Sequence, residues 1–285
     1  MIEAGRRVFG GGGGHHGIAV ASPAWGDGAF LKGINMSIGS ALKTATPAPV
    51  RRVLRAIRNR IARKSLHEGL SEKDAWQLNF WRSRFKIDNS AFENSHYERL
   101  MLAMAEESTQ SFTKGKIIAD FGCGPRGSLV WATSALVRIG IDALADRYAD
   151  EFTDNITAHG TIYVKCTEKV IPLPSDFIDV MFTMGAMRYV DSLPTMCSEI
   201  LRVLKPGGEL IGSFDLEMPG APSQPQRLNE MVIKKHLLNN LEIKSYRTSE
   251  TANEDEETYD HFFKGRSSYR PGQEGFLWVR AKKPI

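Results

Sequence analysis

Cysteine is scarce in this chain of 285 residues, which contains only Cys123, Cys166 and Cys197. An odd number of cysteines without metal-ligand spacing argues against a disulfide framework and a zinc site, and it predicts a reducing, cytoplasmic location without a bound metal. Long apolar runs are also missing. None reaches the roughly 18 residues of a membrane-spanning helix, and the N-terminus lacks the apolar core of a signal peptide. We therefore expect a protein that is soluble or attached to a surface.

Basic residues are concentrated near the N-terminus. Residues 1–64 contain eleven lysines and arginines against two acidic residues, a net charge of +9, so the remaining chain carries −5. Residues 1–49 are glycine-rich and aperiodic, which predicts a disordered extension. In residues 50–64 arginines surround an apolar stripe, which predicts a basic amphipathic helix. This helix would dock on the anionic inner face of a membrane or pack on the protein body, and we expect no nucleic-acid partner.

The rest of the sequence divides into two predicted parts. Residues 50–110 form a helical segment that includes the basic helix and two cap helices, one of which begins after Ser71. Over residues 111–285 strand and helix patterns alternate, which predicts a parallel sheet with crossover helices. The predicted strands cover residues 117–121, 138–142, 160–165, 178–183, 209–215, 242–248 and 276–281.

A glycine turn within residues 116–127 is the most informative stretch of the chain. An apolar run ends in Asp120 and breaks into a turn with Gly122 and Gly124, after which an apolar pattern resumes at Ser128. This order predicts a strand, a tight turn and the start of a helix. Glycine permits unusual dihedral angles and the close approach of a ligand, and a helix N-terminus offers unpaired N–H groups. A nucleotide-like ligand is therefore expected.

Asp142 lies about 20 residues after the first glycine, where folds of this kind bind ribose hydroxyls. These features fit both a dinucleotide-binding domain and a methyltransferase. The stretches 171–182 and 201–210, the second of which contains the letters LKPGG, separate the two. With the glycine turn and its preceding acidic residue, they resemble the class I S-adenosylmethionine-dependent methyltransferases over roughly residues 117–216. The resemblance implies a doubly wound, seven-stranded, mostly parallel sheet of Rossmann-like type with an N-terminal helical extension.

The resemblance also implies S-adenosyl-L-methionine as the cofactor and indicates which residues bind it. The glycine turn surrounds the methionine part, an acidic residue holds the ribose hydroxyls, the residues after the third strand reach the adenine edge, and the fourth strand ends beside the sulfur. In this sequence the implied residues are Asp120, Gly122, Cys123, Gly124, Asp142, Thr167, Glu168 and Thr183.

Three segments at the carboxyl ends of strands carry candidate catalytic side chains, because ligands bind at that edge of open α/β sheets. Tyr189 follows the fourth strand beside Arg188, which would hold an acidic acceptor or orient the tyrosine. Asp215 ends the fifth strand and would act as a base or bind a polar acceptor. His261, beside Asp260 in a long loop predicted to overhang the same edge, is of the residue type best suited to proton abstraction near neutral pH.

We therefore expect a methyltransferase that acts on a hydroxyl of a small-molecule, sugar or lipid-linked acceptor. Two alternatives stay open at this point. One is a nicotinamide-dependent oxidoreductase, which the glycine turn favours and the LKPGG letters disfavour. The other is a non-catalytic relative that binds the cofactor or a partner without transferring a methyl group.

Overall fold

The computed structural model describes residues 69–251, 260–263 and 267–285. The disordered extension predicted for residues 1–49 and the basic helix predicted for residues 50–64 both lie outside this part of the chain. Within it, strands and helices are interspersed from residue 117 onward.

A seven-stranded sheet lies at the centre of the described chain, in the order β3-β2-β1-β4-β5-β7-β6. Strands β1 to β5 run parallel, whereas β7 is antiparallel to both of its neighbours. This confirms the predicted doubly wound, mostly parallel sheet. The strands are β1 (Ile117–Phe121), β2 (Val137–Asp142), β3 (Ile162–Lys165), β4 (Ile178–Met184), β5 (Leu204–Leu216), β6 (Glu242–Glu250) and β7 (Gly275–Lys282).

Helices cover both faces of the sheet, so its central strands are buried on both sides. All five residues of β1 are buried, whereas the edge strand β6 is largely exposed. Parallel strands that are covered on both faces read as continuous apolar runs, as β1 does. The helices are α1 (Glu72–Ile87), α2 (His96–Met104), α3 (Ala145–Glu151), α4 (Thr153–Ala158), α5 (Leu193–Val203), α6 (Glu230–His236) and α7 (Asp260–Phe263).

Helix α1 starts where its N-cap signal predicted. The Ser71 side chain accepts a hydrogen bond of 3.1 Å from the backbone N–H of Asp74, which satisfies one unpaired donor of the first turn. Leu78 anchors the helix in a small apolar cluster with Phe92 and the helices α3 and α4. Helix α1 therefore lies against the sheet domain, close to the glycine turn.

The helix predicted to follow the glycine turn is wrong, because residues 122–136 form turns without a helix. Two long-range contacts explain the difference. Arg138 donates 3.3 and 2.8 Å hydrogen bonds to the carbonyls of Leu129 and Val130, which a helix would use internally. The side-chain carbonyl oxygen of Gln110 accepts hydrogen bonds from the hydroxyl of Thr133 and from the backbone N–H of Ser134. Such side-chain bonds compete with helical backbone pairing.

Residues 204–208, whose sequence is LKPGG, form the start of β5 and not a turn between a helix and a later strand. Helix α5 ends at Val203, β5 begins at Leu204, and the pairing of β4 with β5 is irregular between Ile178 and Val180. Gly207 has a φ of +76° and donates its N–H to the Lys283 carbonyl at 2.8 Å. The strand is therefore longer at its start than the predicted 209–215.

Candidate cofactor and acceptor site

A cavity of about 940 Å³ opens at the carboxyl ends of β1, β2, β4 and β5. It lies next to the point where the strand order reverses, which is where open α/β sheets bind ligands. The helices α1, α2 and α7 form the opposite wall. The sheet side of the cavity is lined by residues at strand ends, namely Asp120, Gly122, Cys123, Asp142, Met184 and Asp215.

The glycine turn is packed tightly against other parts of the protein. Gly122 and Gly124 have φ angles of +74° and +55°, which other residues rarely adopt. A Cβ atom on Gly122 would lie 2.1 Å from the Cβ of Ala186, and one on Gly124 would lie 2.5 Å from the Trp81 ring. The close approach that these glycines permit is thus made by Ala186 and Trp81. Gly122 still lines the cavity, while Gly124 lies beneath Trp81.

Asp120 offers an unused acceptor to the cavity. It is 2% exposed, and its Oδ2 accepts a hydrogen bond from the Ser128 hydroxyl, whereas its Oδ1 is buried without a partner among the described residues. Burial raises the pKa of Asp120 to about 7; the Ser128 bond opposes the rise, and Asp142 adds to it. An unpaired buried acceptor is costly, so this position suits a ligand with a donor or a positive charge. The amino group of S-adenosylmethionine fits that requirement.

Asp142 organises the loops around it while lining the cavity. Its Oδ2 accepts from the N–H of Gly124 at 3.0 Å, and its Oδ1 accepts from the N–H of Leu144 at 2.9 Å. Burial raises the pKa of the neighbouring Tyr148 hydroxyl, and Asp142 adds to the rise. The carboxylate that the resemblance assigns to ribose hydroxyls therefore also connects the glycine turn to the start of α3.

Thr167 and Glu168, expected at the adenine edge, line one end of the cavity. Thr167 closes a local turn through its side-chain oxygen. Glu168 accepts a hydrogen bond from the Lys73 ammonium group of α1 and a 2.8 Å bond from the backbone N–H of Asp191. Both oxygens of Glu168 are therefore engaged by protein groups, one of them on the cap helix.

Cys123 and Thr183 differ in their access to the cavity. Cys123 lines the cavity. Burial raises the pKa of its thiol, so this part of the cavity lining is uncharged. Thr183 is fully buried in β4, and its Oγ1 has no partner within the described residues. It is not part of the lining, whereas the next residue, Met184, is. Successive side chains of a strand point to opposite faces of the sheet, which explains why Met184 lines the cavity and Thr183 does not.

Asp215, Arg188 and Tyr189 come together at the other end of the cavity, although only Asp215 and Tyr189 line it. Arg188 Nη1 lies 3.9 Å from Asp215 Oδ1, and Nη2 donates to the Pro219 carbonyl at 3.1 Å. The Tyr189 hydroxyl accepts from the Gln224 amide at 2.9 Å. Burial raises the pKa of Asp215 to about 6, although Arg188 favours its ionised form. A carboxylate with this pKa is a suitable general base near neutral pH.

The loop between β6 and β7 reaches the same cavity, as predicted. Helix α7 contributes Asp260 and Phe263 to the lining, and Phe262 beside them is buried. The Arg99 guanidinium of α2 lies 4.0 Å from the centre of the Phe263 ring. His261 belongs to α7, but its side chain lies outside the described part of the structure. Its role as a base stays a prediction.

The sequence interpretation predicted cap helices but assigned none of the residues of α1 to the site. Lys73, Trp76, Gln77, Phe80 and Trp81 all line the cavity. Their spacing of one, three and four residues places them on one face of the helix. That face mixes aromatic and polar residues, and this mixture was the available signal that it borders a site.

The doubly wound sheet and the cavity at its carboxyl edge define a Rossmann-like α/β fold with a ligand site where the strand order reverses. Residues 119–212 match a family whose description is methyltransferase domain. This match runs from β1 into β5, about a third of the chain, so that part of the chain is similar to a methyltransferase domain.

The chain is similar to malonyl-[acyl-carrier protein] O-methyltransferase of Enterobacter lignolyticus (strain SCF1), with 32% identity over 94 residues. The match covers 33% of this chain, and the chain spans 36% of the length of that relative.

Two solved structures illustrate the likeness in fold. In the complex between the Haloferax volcanii Trm112 methyltransferase activator and a protein assigned as a methyltransferase, one chain gives a TM-score of 0.52 at 17% identity, covering 76% of this chain and 100% of that one. An S-adenosylmethionine-dependent methyltransferase from Mesorhizobium loti gives a TM-score of 0.47 at 18% identity. The match covers 64% of this chain and 96% of that one. At such identities the likeness concerns the fold alone.

The described residues contain no group of three or more His, Cys, Asp or Glu side chains arranged to hold a metal ion. Among the helices that the structure describes, none combines the length and apolar character needed to cross a bilayer.

Proposed function

We propose that this protein is an S-adenosylmethionine-dependent methyltransferase that methylates a hydroxyl oxygen of a small-molecule, sugar or lipid-linked acceptor. The observation that carries the proposal is the Oδ1 of Asp120, which is buried without a partner among the described residues. Asp120 lines the cavity and lies in the stretch that matches a methyltransferase domain. An amino group is attracted to this oxygen. The negatively charged pyrophosphate of a nicotinamide dinucleotide would be repelled there, which disfavours the oxidoreductase alternative.

The cofactor half of the cavity is formed by residues of this chain with distinct tasks. When bound, S-adenosylmethionine supplies a methyl group activated by its positively charged sulfur. Asp120 and the glycine turn would hold the methionine part, Asp142 the ribose hydroxyls, and Thr167 with Glu168 the adenine end. All four side chains line the same cavity, which supports this arrangement.

In the acceptor half, Asp215 would remove the proton of the acceptor hydroxyl. Its raised pKa of about 6 leaves it mostly ionised at neutral pH and still basic enough to accept a proton. Arg188 keeps the carboxylate in place, and Tyr189 borders the acceptor. The name of the Enterobacter relative specifies O-methyl transfer, which supports oxygen as the acceptor atom.

Calorimetry with S-adenosylhomocysteine and with NADH tests the proposal. The parent protein is expected to bind S-adenosylhomocysteine and not NADH. Asp120→Ala and Asp142→Ala should each weaken S-adenosylhomocysteine binding by roughly 1.5–3 kcal/mol, because each removes a charge-assisted hydrogen bond. Asp154→Ala, an exposed residue of α4, is the control. Binding of NADH instead of S-adenosylhomocysteine would overturn the proposal.

The same titrations should depend on pH through Asp120. Its pKa of about 7 means that acidification neutralises the carboxylate that attracts the amino group. Affinity should therefore rise as pH increases through about 7, and Asp120→Asn should remove this rise.

We also propose that residues 50–64 attach the protein to the inner face of a membrane, in the cytoplasm, because their sequence pattern combines an apolar stripe with arginines. Sedimentation with liposomes should increase with the fraction of anionic lipid and decrease with salt, since each basic residue contributes about 1 kcal/mol by screened attraction. Deleting residues 1–64 should abolish sedimentation and preserve S-adenosylhomocysteine binding. Equal sedimentation with neutral and anionic vesicles would contradict this electrostatic attachment.

A further inference from the structure

A cluster of charged side chains joins cap helix α1 to the loops that follow β3 and β4. The Lys73 ammonium group contacts Glu168 Oε1, Asp191 Oδ1 at 2.7 Å and the Tyr189 carbonyl at 3.1 Å. An ammonium group has three donors, so these three acceptors use all of them. The Asp191 N–H donates to the second oxygen of Glu168 at 2.8 Å, which closes the cluster.

In this Lys73 cluster the lysine side chain is less exposed to solvent than the two carboxylates. The Lys73 side chain is 12% exposed, while Glu168 and Asp191 are 33% and 58% exposed. Burial alone would lower the pKa of Lys73, but the hydrogen bonds that it donates to Asp191 and Glu168 raise the pKa above its ordinary value, so the group stays charged. Without that charge, two carboxylates that now contact one nitrogen would repel each other. The bond from the Asp191 N–H to Glu168 would then have to hold the two loops together against this repulsion.

Helix α1 spans the cavity between two attachment points. At its first turn Lys73 holds the end lined by Thr167 and Glu168, and two turns later Trp81 covers Gly124. Between these points Asp74, Trp76, Gln77 and Phe80 line the cavity. A ligand in the cofactor half would therefore lie against this face of α1.

We propose that Lys73 is a positioning residue for the cofactor, which closes α1 over the adenine end of the site by holding Glu168 and Asp191 together. This inference rests on the proposed function, because it takes S-adenosylmethionine as the ligand beneath α1. Lys73 acts through the two carboxylates and the helix. Its contact with Tyr189 is to the backbone carbonyl, so it leaves the chemistry to the side chains of the acceptor half.

The test compares S-adenosylhomocysteine affinity, measured by calorimetry, among variants of the full chain. Lys73→Met should raise the dissociation constant about 10- to 100-fold, because breaking a partly buried pair leaves uncompensated charges. Lys73→Arg retains the charge and should stay within about threefold of the parent. Asp191→Asn removes the repulsion, so Lys73→Met combined with Asp191→Asn should bind more tightly than Lys73→Met alone.

Arg82→Met is the matched control on the same helix. Arg82 pairs with Glu151 through two hydrogen bonds of 2.6 Å, and this pair joins α1 to α3 away from the cavity. An exposed pair contributes little to stability, so this variant should bind S-adenosylhomocysteine like the parent. Hydrogen exchange over residues 72–84 should accelerate in Lys73→Met and not in Arg82→Met.

The outcomes separate this inference from the proposed function. If the parent binds S-adenosylhomocysteine and Lys73→Met binds it equally well, the inference is wrong and the function stands. If Arg82→Met loses as much affinity as Lys73→Met, general loosening of α1 explains the loss and the inference is again overturned. A parent that does not bind S-adenosylhomocysteine would overturn both.

Discussion

Replacing Asp215 by asparagine should lower kcat for methyl transfer by about 10²- to 10⁴-fold, because proton removal from the acceptor hydroxyl occurs only in the transition state. Affinity for S-adenosylhomocysteine should stay within about twofold of the parent, since Asp215 lies at the acceptor end of the cavity. Methyl transfer is measured with radiolabelled S-adenosylmethionine on a hydroxyl-bearing acceptor identified by screening.

The pH dependence of kcat tests the same assignment. The pKa of Asp215 is about 6, so the parent rate should rise through that pH as the carboxylate loses its proton, and Asp215→Asn should lose this inflection. Histidine would give a similar profile, so His261→Ala is measured in parallel. Full turnover in Asp215→Asn together with a large loss in His261→Ala would transfer the role of base to His261.

Glu217→Gln is a matched control for Asp215→Asn. Glu217 follows the same strand two residues later, but it pairs with Arg227 at 3.0 Å. This variant should retain parental turnover. A comparable loss would show that any change of charge after β5 disturbs catalysis, and it would contradict a specific role for Asp215.

Gly122→Val is expected to abolish S-adenosylhomocysteine binding and to lower the free energy of unfolding by about 2–5 kcal/mol. Valine would have to adopt a φ of +74°, and its Cβ would overlap the Cβ of Ala186 at 2.1 Å. The glycine turn and the segment after β4 would then be pushed apart, which distorts the cofactor half of the cavity. Urea denaturation and calorimetry measure the two effects.

Two further variants separate backbone strain from steric overlap. Gly115 has a similar φ of +71°, but no atom of the described residues lies within 4 Å of its Cβ position, so Gly115→Val reports strain alone. Combining Gly122→Ala with Ala186→Gly removes the overlapping methyl group and should recover most of the binding. If Gly122→Val is no less stable than Gly115→Val, the overlap with Ala186 has no energetic importance.

The sequence indicated the residues of the cofactor half more completely than those of the acceptor half. Asp120, Asp142 and the glycine turn are close in sequence to the strands that carry them, and a parallel sheet brings the carboxyl ends of its strands to one edge. The acceptor half combines Asp215 with Arg188, Tyr189 and helix α7, whose relative positions depend on long connections. The sequence offered candidates there without showing which of them meet.

The period and composition of the sequence determined the parallel strands and the start of α1 at Ser71, because these depend on local patterns of apolar and capping residues. Tertiary structure alone decided that Gln110 and Arg138 replace the helix after the glycine turn, and that Met184 lines the cavity in place of Thr183. It also decided that Lys73 joins α1 to Glu168. Each of these outcomes depends on a contact between residues distant in sequence, or on which face of a strand meets a neighbour, and neither leaves a periodic signal.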